Sequence, residues 1–211
     1  MNICALIPAY NEEKTVGHVI SVLKNIAEID SIIVINDGSD DNTSVRAEEA
    51  GATVINLPEN KGKGAALKKG LESCSADIIL MLDADLIGLK SEHVKRLIDP
   101  VLADKYDMTV GIFDDGRSMT DMAQKISPHL SGQRAIKADI LNEIEDIDKA
   151  GYGVEVTINR YFKNNGRMKR VELPNLTHAT KEEKRGIARG LLARFKMYGE
   201  VIKTFFLFLF D

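Results

Sequence analysis

The sequence is poor in the features that mark several common protein classes. Cysteine occurs only at Cys4 and Cys74, with no CxxC and no metal-type spacing. That excludes a disulfide scaffold and a thiolate metal centre, and it leaves two small buried hydrophobes suited to a reducing compartment. No apolar run reaches the roughly 18 residues of a membrane-spanning helix, and Phe205 to Phe210 comes nearest. Positive charge is not in excess: the formal net charge is −4. Nothing therefore implies general affinity for nucleic acid. No internal repeat or low-complexity linker is present. Met1 leads directly into a strand-like segment without a signal-peptide pattern, so a cytoplasmic location is expected.

What is present fits a globular enzyme-sized chain. The 211 residues are 44% hydrophobic and 28% charged, which argues against disorder. One α/β domain over residues 1–180 with a helical tail over 181–211 is the expected organisation. The most informative stretch is Ile78 to Asp85, Ile-Ile-Leu-Met-Leu-Asp-Ala-Asp. Its apolar run fits a strand buried on both faces and ending at Asp83. Asp83 and Asp85 then sit at the carboxyl end, where open α/β sheets bind ligands. Two adjacent carboxylates stay ionised together when a hard cation such as Mg²⁺ or Mn²⁺ lies between them. An acidic turn closing the strand is the plainer alternative.

Around that stretch, strands and helices alternate. Strands are expected over Asn2–Pro8 (ended by the proline, which cannot donate to a ladder), Ile32–Ile35, Thr53–Leu57, Met108–Phe113 and Met168–Leu173. Helices are expected from Val16 to Ile26, Ser44 to Ala50, Ala65 to Cys74, Thr120 to Ile126, Ala138 to Ile147, Val154 to Asn164 and Lys181 to Phe210. Such alternation predicts right-handed crossovers and a mostly parallel, Rossmann-like sheet covered by helices.

Three further segments lie at strand ends. Ile7 to Glu13 (Ile-Pro-Ala-Tyr-Asn-Glu-Glu) closes the first strand, and Glu12 and Glu13 suit a first helical turn. Asn36 to Thr43 closes the second. Asp37 there suits a base edge or ribose, whereas Asp41 and Thr43 suit helix capping. Asn60 to Gly64 combines glycines, Lys61, Lys63 and a following helix N-terminus, as phosphate sites do. It lacks the Walker A spacing.

In this order, IPAYNEE (7–13), NDGSDDNT (36–43), NKGKGAAL (60–67) and DAD (83–85) resemble the family 2 glycosyltransferases. The resemblance implies a GT-A fold and a nucleotide-sugar donor, UDP-linked in preference to GDP-linked. It places Pro8, Ala9, Tyr10 and Glu12 in the nucleotide pocket, Asp37 on the base, and Lys61, Lys63 and Gly64 near the base or diphosphate. Asp83, Ala84 and Asp85 become the DxD element, with Mg²⁺ or Mn²⁺ bridging to the diphosphate and Asp85 the direct ligand. Leu130 to Ile136 resembles an acceptor-side loop carrying Ser131, Gly132, Gln133 and Arg134. Gly151 to Val156 resembles the segment bearing an acid near the acceptor. That makes Glu155 the candidate catalytic or acceptor-binding residue, against a plain first-turn helical Glu. His178 resembles the metal-binding His of glucosyl-3-phosphoglycerate synthases.

The acceptor stays open between a phosphorylated small molecule and a polyprenyl phosphate. The tail, with apolar Leu191, Leu192, Phe195, Tyr198, Val201 and Ile202 among basic residues, suits peripheral contact with the cytoplasmic face of a membrane or a homodimer contact. A sugar-phosphate nucleotidyltransferase and a non-catalytic nucleotide-sugar-binding protein are the alternatives.

Overall fold

Strand β1 (Ile3–Ala9) lies at the centre of the chain's first half, and the sheet is assembled outward from it. The structure is a computed structural model that describes residues 1–114, 131–144, 147 and 153–179. The helices expected at 120–126 and 181–210 lie outside these residues. The remaining strands are β2 (Ser31–Asn36), β3 (Thr53–Asn56), β4 (Ile78–Met81), β5 (Leu86–Ile87), β6 (Met108–Asp114), β7 (Arg134–Lys137), β8 (Met168–Pro174) and β9 (Thr177–His178). The helices are α1 (Val16–Leu23), α2 (Thr43–Glu49), α3 (Lys63–Glu72), α4 (Ser91–Leu102), α5 (Ala138–Asn142) and α6 (Val154–Asn165).

Seven strands form one sheet in the order β3-β2-β1-β4-β7-β6-β8. β1, β2, β3 and β4 pair in parallel, β6 and β8 pair in parallel, and β7 runs antiparallel to both its neighbours. The sheet is mostly parallel, as the strand–helix alternation predicts. Side-chain alternation sends Ile3, Ala5 and Ile7 to one face, where they pack with residues of α1 and α4. Cys4 and Leu6 go to the other face, with residues of α3 and α6. Helices thus cover both faces, so the central strands read as continuous apolar runs. Among the described residues, no helix is long and apolar enough to cross a membrane.

Several expectations need correction. Pro8 does not end β1, which runs on to Ala9. The carbonyl of Leu6 accepts the N–H of Leu82, so Leu6, and Pro8 two residues on, turn their backbone polar groups toward β4. The β1–β4 ladder stops at Leu6 and Met81, so the missing proline N–H forfeits no ladder bond. β4 itself ends at Met81, two residues before Asp83. Arg134 to Ile136 is not loop but strand, seated between β4 and β6. The helix expected over 138–147 stops at Asn142, although Leu141, Ile144 and Ile147 are all buried in one cluster. Their spacing reported burial, which a turn satisfies as well as a helix. Glu13 precedes α1 rather than sitting in its first turn.

Helix α4 and the small β5–β9 sheet were not anticipated. The apolar spacing of α4 was nevertheless readable, since Val94, Leu97, Ile98 and Val101 are all buried. Pro100 in its last turn obscured it.

Candidate active site

The loops that follow β1 and β2 are tied to each other before they meet any ligand. Asn11 has φ 57°, a left-handed conformation that asparagine tolerates. Its N–H donates to Ser39 Oγ at 2.9 Å, and its Oδ1 accepts the N–H of Asp40 at 2.9 Å. The N–H of Glu12 donates to Thr43 Oγ1 at 2.8 Å. Glu13 accepts from the backbone and side-chain nitrogens of Asn42, both at 3.1 Å. Asp41 accepts the Thr43 N–H at 2.9 Å, but the N-cap of α2 is Asn42, so Asp41 stands one residue outside the cap expected of it. Pro8, Tyr10 and Glu12 are half-buried at this edge, and Ala9 is buried.

Asp37 is buried, and its two carboxylate oxygens accept the N–H groups of Lys61 and Gly62, both at 2.8 Å. It therefore shapes the glycine–lysine loop from below. Gly38 lets that loop approach. It has φ +69°, and a Cβ there would lie 2.7 Å from the Glu59 carbonyl carbon and 2.8 Å from the Asn60 nitrogen. Gly38→Ala is expected to destabilise the fold by about 1–3 kcal/mol, because a positive φ and a backbone clash coincide. Denaturant unfolding measures this; unchanged stability would show that the 59–60 segment yields freely.

The same loop opens α3 and delivers Lys63 to the end of β4. Its ammonium lies 2.6 Å from Asp83 Oδ1 and 2.5 Å from Glu155 Oε1. Lys61 stays exposed, 3.8 Å from Glu59, and Gly64 is buried in the first turn of α3. Glu155 does occupy the first turn of α6. It is also buried at 6% exposure and paired with Lys63, so the helical position does not leave it solvated. Burial alone would push the Lys63 ammonium down, but Asp83 and Glu155 outweigh it and hold its pKa above the ordinary lysine value. Burial likewise opposes ionisation of Asp83, and Lys63 and His178 reverse the effect, leaving its carboxyl well below the usual range.

Asp83, Asp85 and His178 meet just beyond β4. One ligand atom from each lies within 4.8 Å of the others. His178 is brought there by the short β5–β9 pairing, which sets Leu86 opposite His178, and by the Ala179 N–H donating to the Asp85 carbonyl at 2.9 Å. Its ring leans on Phe113, with centroids 4.8 Å apart. His178 Nε2 lies 3.1 Å from Asp83 Oδ2 and 3.9 Å from Asp85 Oδ1. Ligands of a six-coordinate ion with bonds of about 2.1 Å stand roughly 3 to 4.2 Å apart; both separations from His178 fall in that range, and two carboxylates with an imidazole are a donor set suited to Mg²⁺ or Mn²⁺. Burial disfavours the charged imidazole, but Asp83 and Asp85 overcome it and raise the His178 pKa. Ala84 is buried between the two carboxylates.

The segment expected on the acceptor side is placed differently. Ser131 is half-buried, and Gly132, Gln133 and Arg134 are buried. A Cβ on Gly132 would lie 2.5 Å from Lys63 Nζ and 2.7 Å from both Asp83 oxygens, so a side chain there would displace the ion pair. The Gln133 side chain accepts the Asp83 backbone N–H and donates to the Asp83 carboxylate. Arg134 is fully buried, which removes it from direct reach of an acceptor. Its guanidinium donates to the Ser131 carbonyl at 2.9 Å and to Asn159 Oδ1 at 2.8 Å. Burial lowers its pKa to about 10 against the opposing pull of Glu155 and Asp83. It joins the turn over Asp83 to the helix that carries Glu155. Phe113 and Asn159 escaped sequence reasoning, since neither stands in a recognisable motif.

The family model for glycosyl transferase family 2 matches residues 4–151. The chain therefore belongs to glycosyl transferase family 2, and its sheet and helices have the GT-A architecture expected of it. It is 37% identical over 109 residues to glucosyl-3-phosphoglycerate synthase of Mycolicibacterium smegmatis, a match covering 47% of this chain and 36% of that protein. It is 37% identical over 110 residues to protein RfbJ of Shigella flexneri, covering 52% and 84%. The crystal structure of the Mycobacterium tuberculosis synthase with Mn²⁺, UDP-glucose and phosphoglyceric acid superposes with a TM-score of 0.72 at 28% identity, covering 92% of this chain and 79% of that one. The chain thus spans only about a third of the length of the first of these synthases.

Proposed function

We propose that this chain is a metal-dependent glycosyltransferase that moves a sugar from a UDP-sugar to a hydroxyl of a phosphorylated small molecule. The observation that carries the reading is the convergence of Asp83, Asp85 and His178 with Lys63 and Glu155 at the end of β4. In the reaction, the acceptor oxygen bonds the anomeric carbon, the bond from that carbon to the diphosphate oxygen breaks, and the hydroxyl proton is released. Bound Mg²⁺ or Mn²⁺ supplies Lewis-acid stabilisation of charge on the departing diphosphate.

The protein's part is to arrange the groups around that bond. Asp85, His178 and Asp83 would hold the cation. Asp83 is itself fixed, with Lys63 on one oxygen and Gln133 on the other. Glu155, held by Lys63, faces the transferred sugar or the acceptor. Pro8, Ala9, Tyr10 and Glu12 line the nucleotide pocket, and Asp37 holds the loop that closes it. The choice of UDP is supported by the UDP-glucose bound to the M. tuberculosis synthase, and that of a phosphorylated acceptor by its phosphoglyceric acid.

A panel of UDP- and GDP-sugars with Mn²⁺ and phosphorylated acids tests the reading. Release of UDP in step with consumption of acceptor is expected. Pyrophosphate released from UTP and a sugar phosphate, with no UDP from any donor, would instead assign a nucleotidyltransferase.

A further inference from the structure

We propose that Gln133 is a positioning residue for the cation ligands, whose neutral amide locks Asp83 and faces His178. The proposal rests on the cation role given above to Asp83, Asp85 and His178. It moves Gln133 from the acceptor side, where the sequence suggested it, to the donor side.

The orientation of the Gln133 amide is not ambiguous. The backbone N–H of Asp83 points at one end of it, at 2.9 Å, and a backbone N–H can only donate. That end is therefore the carbonyl oxygen, Oε1, and the other is Nε2. Nε2 then donates to Asp83 Oδ2 at 2.7 Å, so both contacts fall on one residue and close a ring. Rotation of the Asp83 side chain would break the ring and, at Oδ1, the 2.6 Å contact with Lys63. Nε2 also lies 3.4 Å from His178 Nε2. The amide thus stands against the same imidazole nitrogen that Asp83 Oδ2 approaches at 3.1 Å, and fixes the space around it.

Gln133 is itself fixed. It is fully buried. Its N–H donates to Ser131 Oγ at 3.3 Å, and its carbonyl accepts the Gly111 N–H at 2.8 Å. Gly111 makes room for it: a Cβ there would come within 3.2 Å of the Gln133 Cβ. The chemistry also selects an amide. A carboxylate at this place would set oxygen against Asp83 Oδ2, and a cationic side chain would repel the metal. An amide aligns both ligands without altering the charge of the site.

The test compares wild type with Gln133→Met, which keeps length without the hydrogen bonds, and with Gln133→Ala as a second variant. Free Mn²⁺ is measured by electron paramagnetic resonance in the presence of UDP, and UDP affinity is measured separately without metal. The expected result is a loss of Mn²⁺ affinity of roughly 10–100-fold, as for other groups that orient metal ligands, with metal-free UDP affinity unchanged. A folded variant whose Mn²⁺ affinity stays within about twofold of wild type overturns the role of Gln133 alone. Absence of Mn²⁺ binding to wild type overturns this proposal together with the cation reading.

Discussion

Asp85→Ala is expected to abolish the metal-dependent part of UDP binding while leaving the fold intact. The two carboxylates of the DxD element sit in different surroundings. Asp83 is locked by Lys63 at 2.6 Å and Gln133 at 2.7 Å, so it belongs to the scaffold of the site. Asp85 lies one residue further out, 3.9 Å from His178 Nε2, with a side chain 23% exposed. Its removal leaves the Lys63–Asp83–Glu155 arrangement in place, and the melting temperature should move by only a few degrees. A cation held in such a site contributes several kcal/mol to binding or stabilising a diphosphate, so affinity for UDP with Mn²⁺ should fall by about 100-fold or more. It should then match the affinity without metal. Calorimetry with and without Mn²⁺ measures both arms. Undiminished affinity in the variant with Mn²⁺ present would remove Asp85 from the metal site.

The sheet edge formed by the first four strands was legible in the sequence because each motif stands at a strand end. Parallel topology carries strand ends to one edge of the sheet whatever the details of the loops. Ile78 to Asp85 illustrates this: a buried run followed by two carboxylates locates both strand and site. The second half was harder because its geometry is non-local. His178 reaches Asp85 through a two-residue strand pairing with Leu86–Ile87, and no periodicity announces a strand that short. Arg134 and Lys137 flank only two apolar residues, so β7 read as a polar loop although it lies inside the sheet. The burial of Gln133 and Arg134 was hidden for the same reason. A glutamine that bonds both the backbone and the side chain of a residue fifty positions away leaves no mark on its own neighbourhood in sequence. Asp37 shows the converse case. The sequence set this residue against a base, whereas its two oxygens hold loop amides, which only the fold reveals.

Lys63→Ala is expected to cost more stability than any other single change at the site. Lys63 stands between Asp83 and Glu155, and the three side chains are only 18%, 21% and 7% exposed. Removing the shared cation leaves two buried carboxylates beside each other, and breaking a buried pair in this way costs about 3–5 kcal/mol. For a domain of this size that corresponds to a fall in melting temperature of roughly 10 °C. The pH dependence carries the diagnosis. In the metal-free wild type the Asp83 carboxyl is held below its ordinary value of 3.8 by Lys63 and His178, against the effect of burial. Its contribution to stability is therefore present above pH 3.8 and is lost as the pH falls through the lowered folded value. Without Lys63 the burial of Asp83 is opposed less, its pKa rises, and at neutral pH an incompletely compensated charge has to stay buried. Lowering the pH shifts that carboxyl toward its neutral form and relieves part of the cost. The gap in melting temperature between variant and wild type should consequently be widest near pH 7.5 and narrow at pH 4.5. A gap that stays constant over this range would show that Lys63 stabilises the fold by packing rather than by charge.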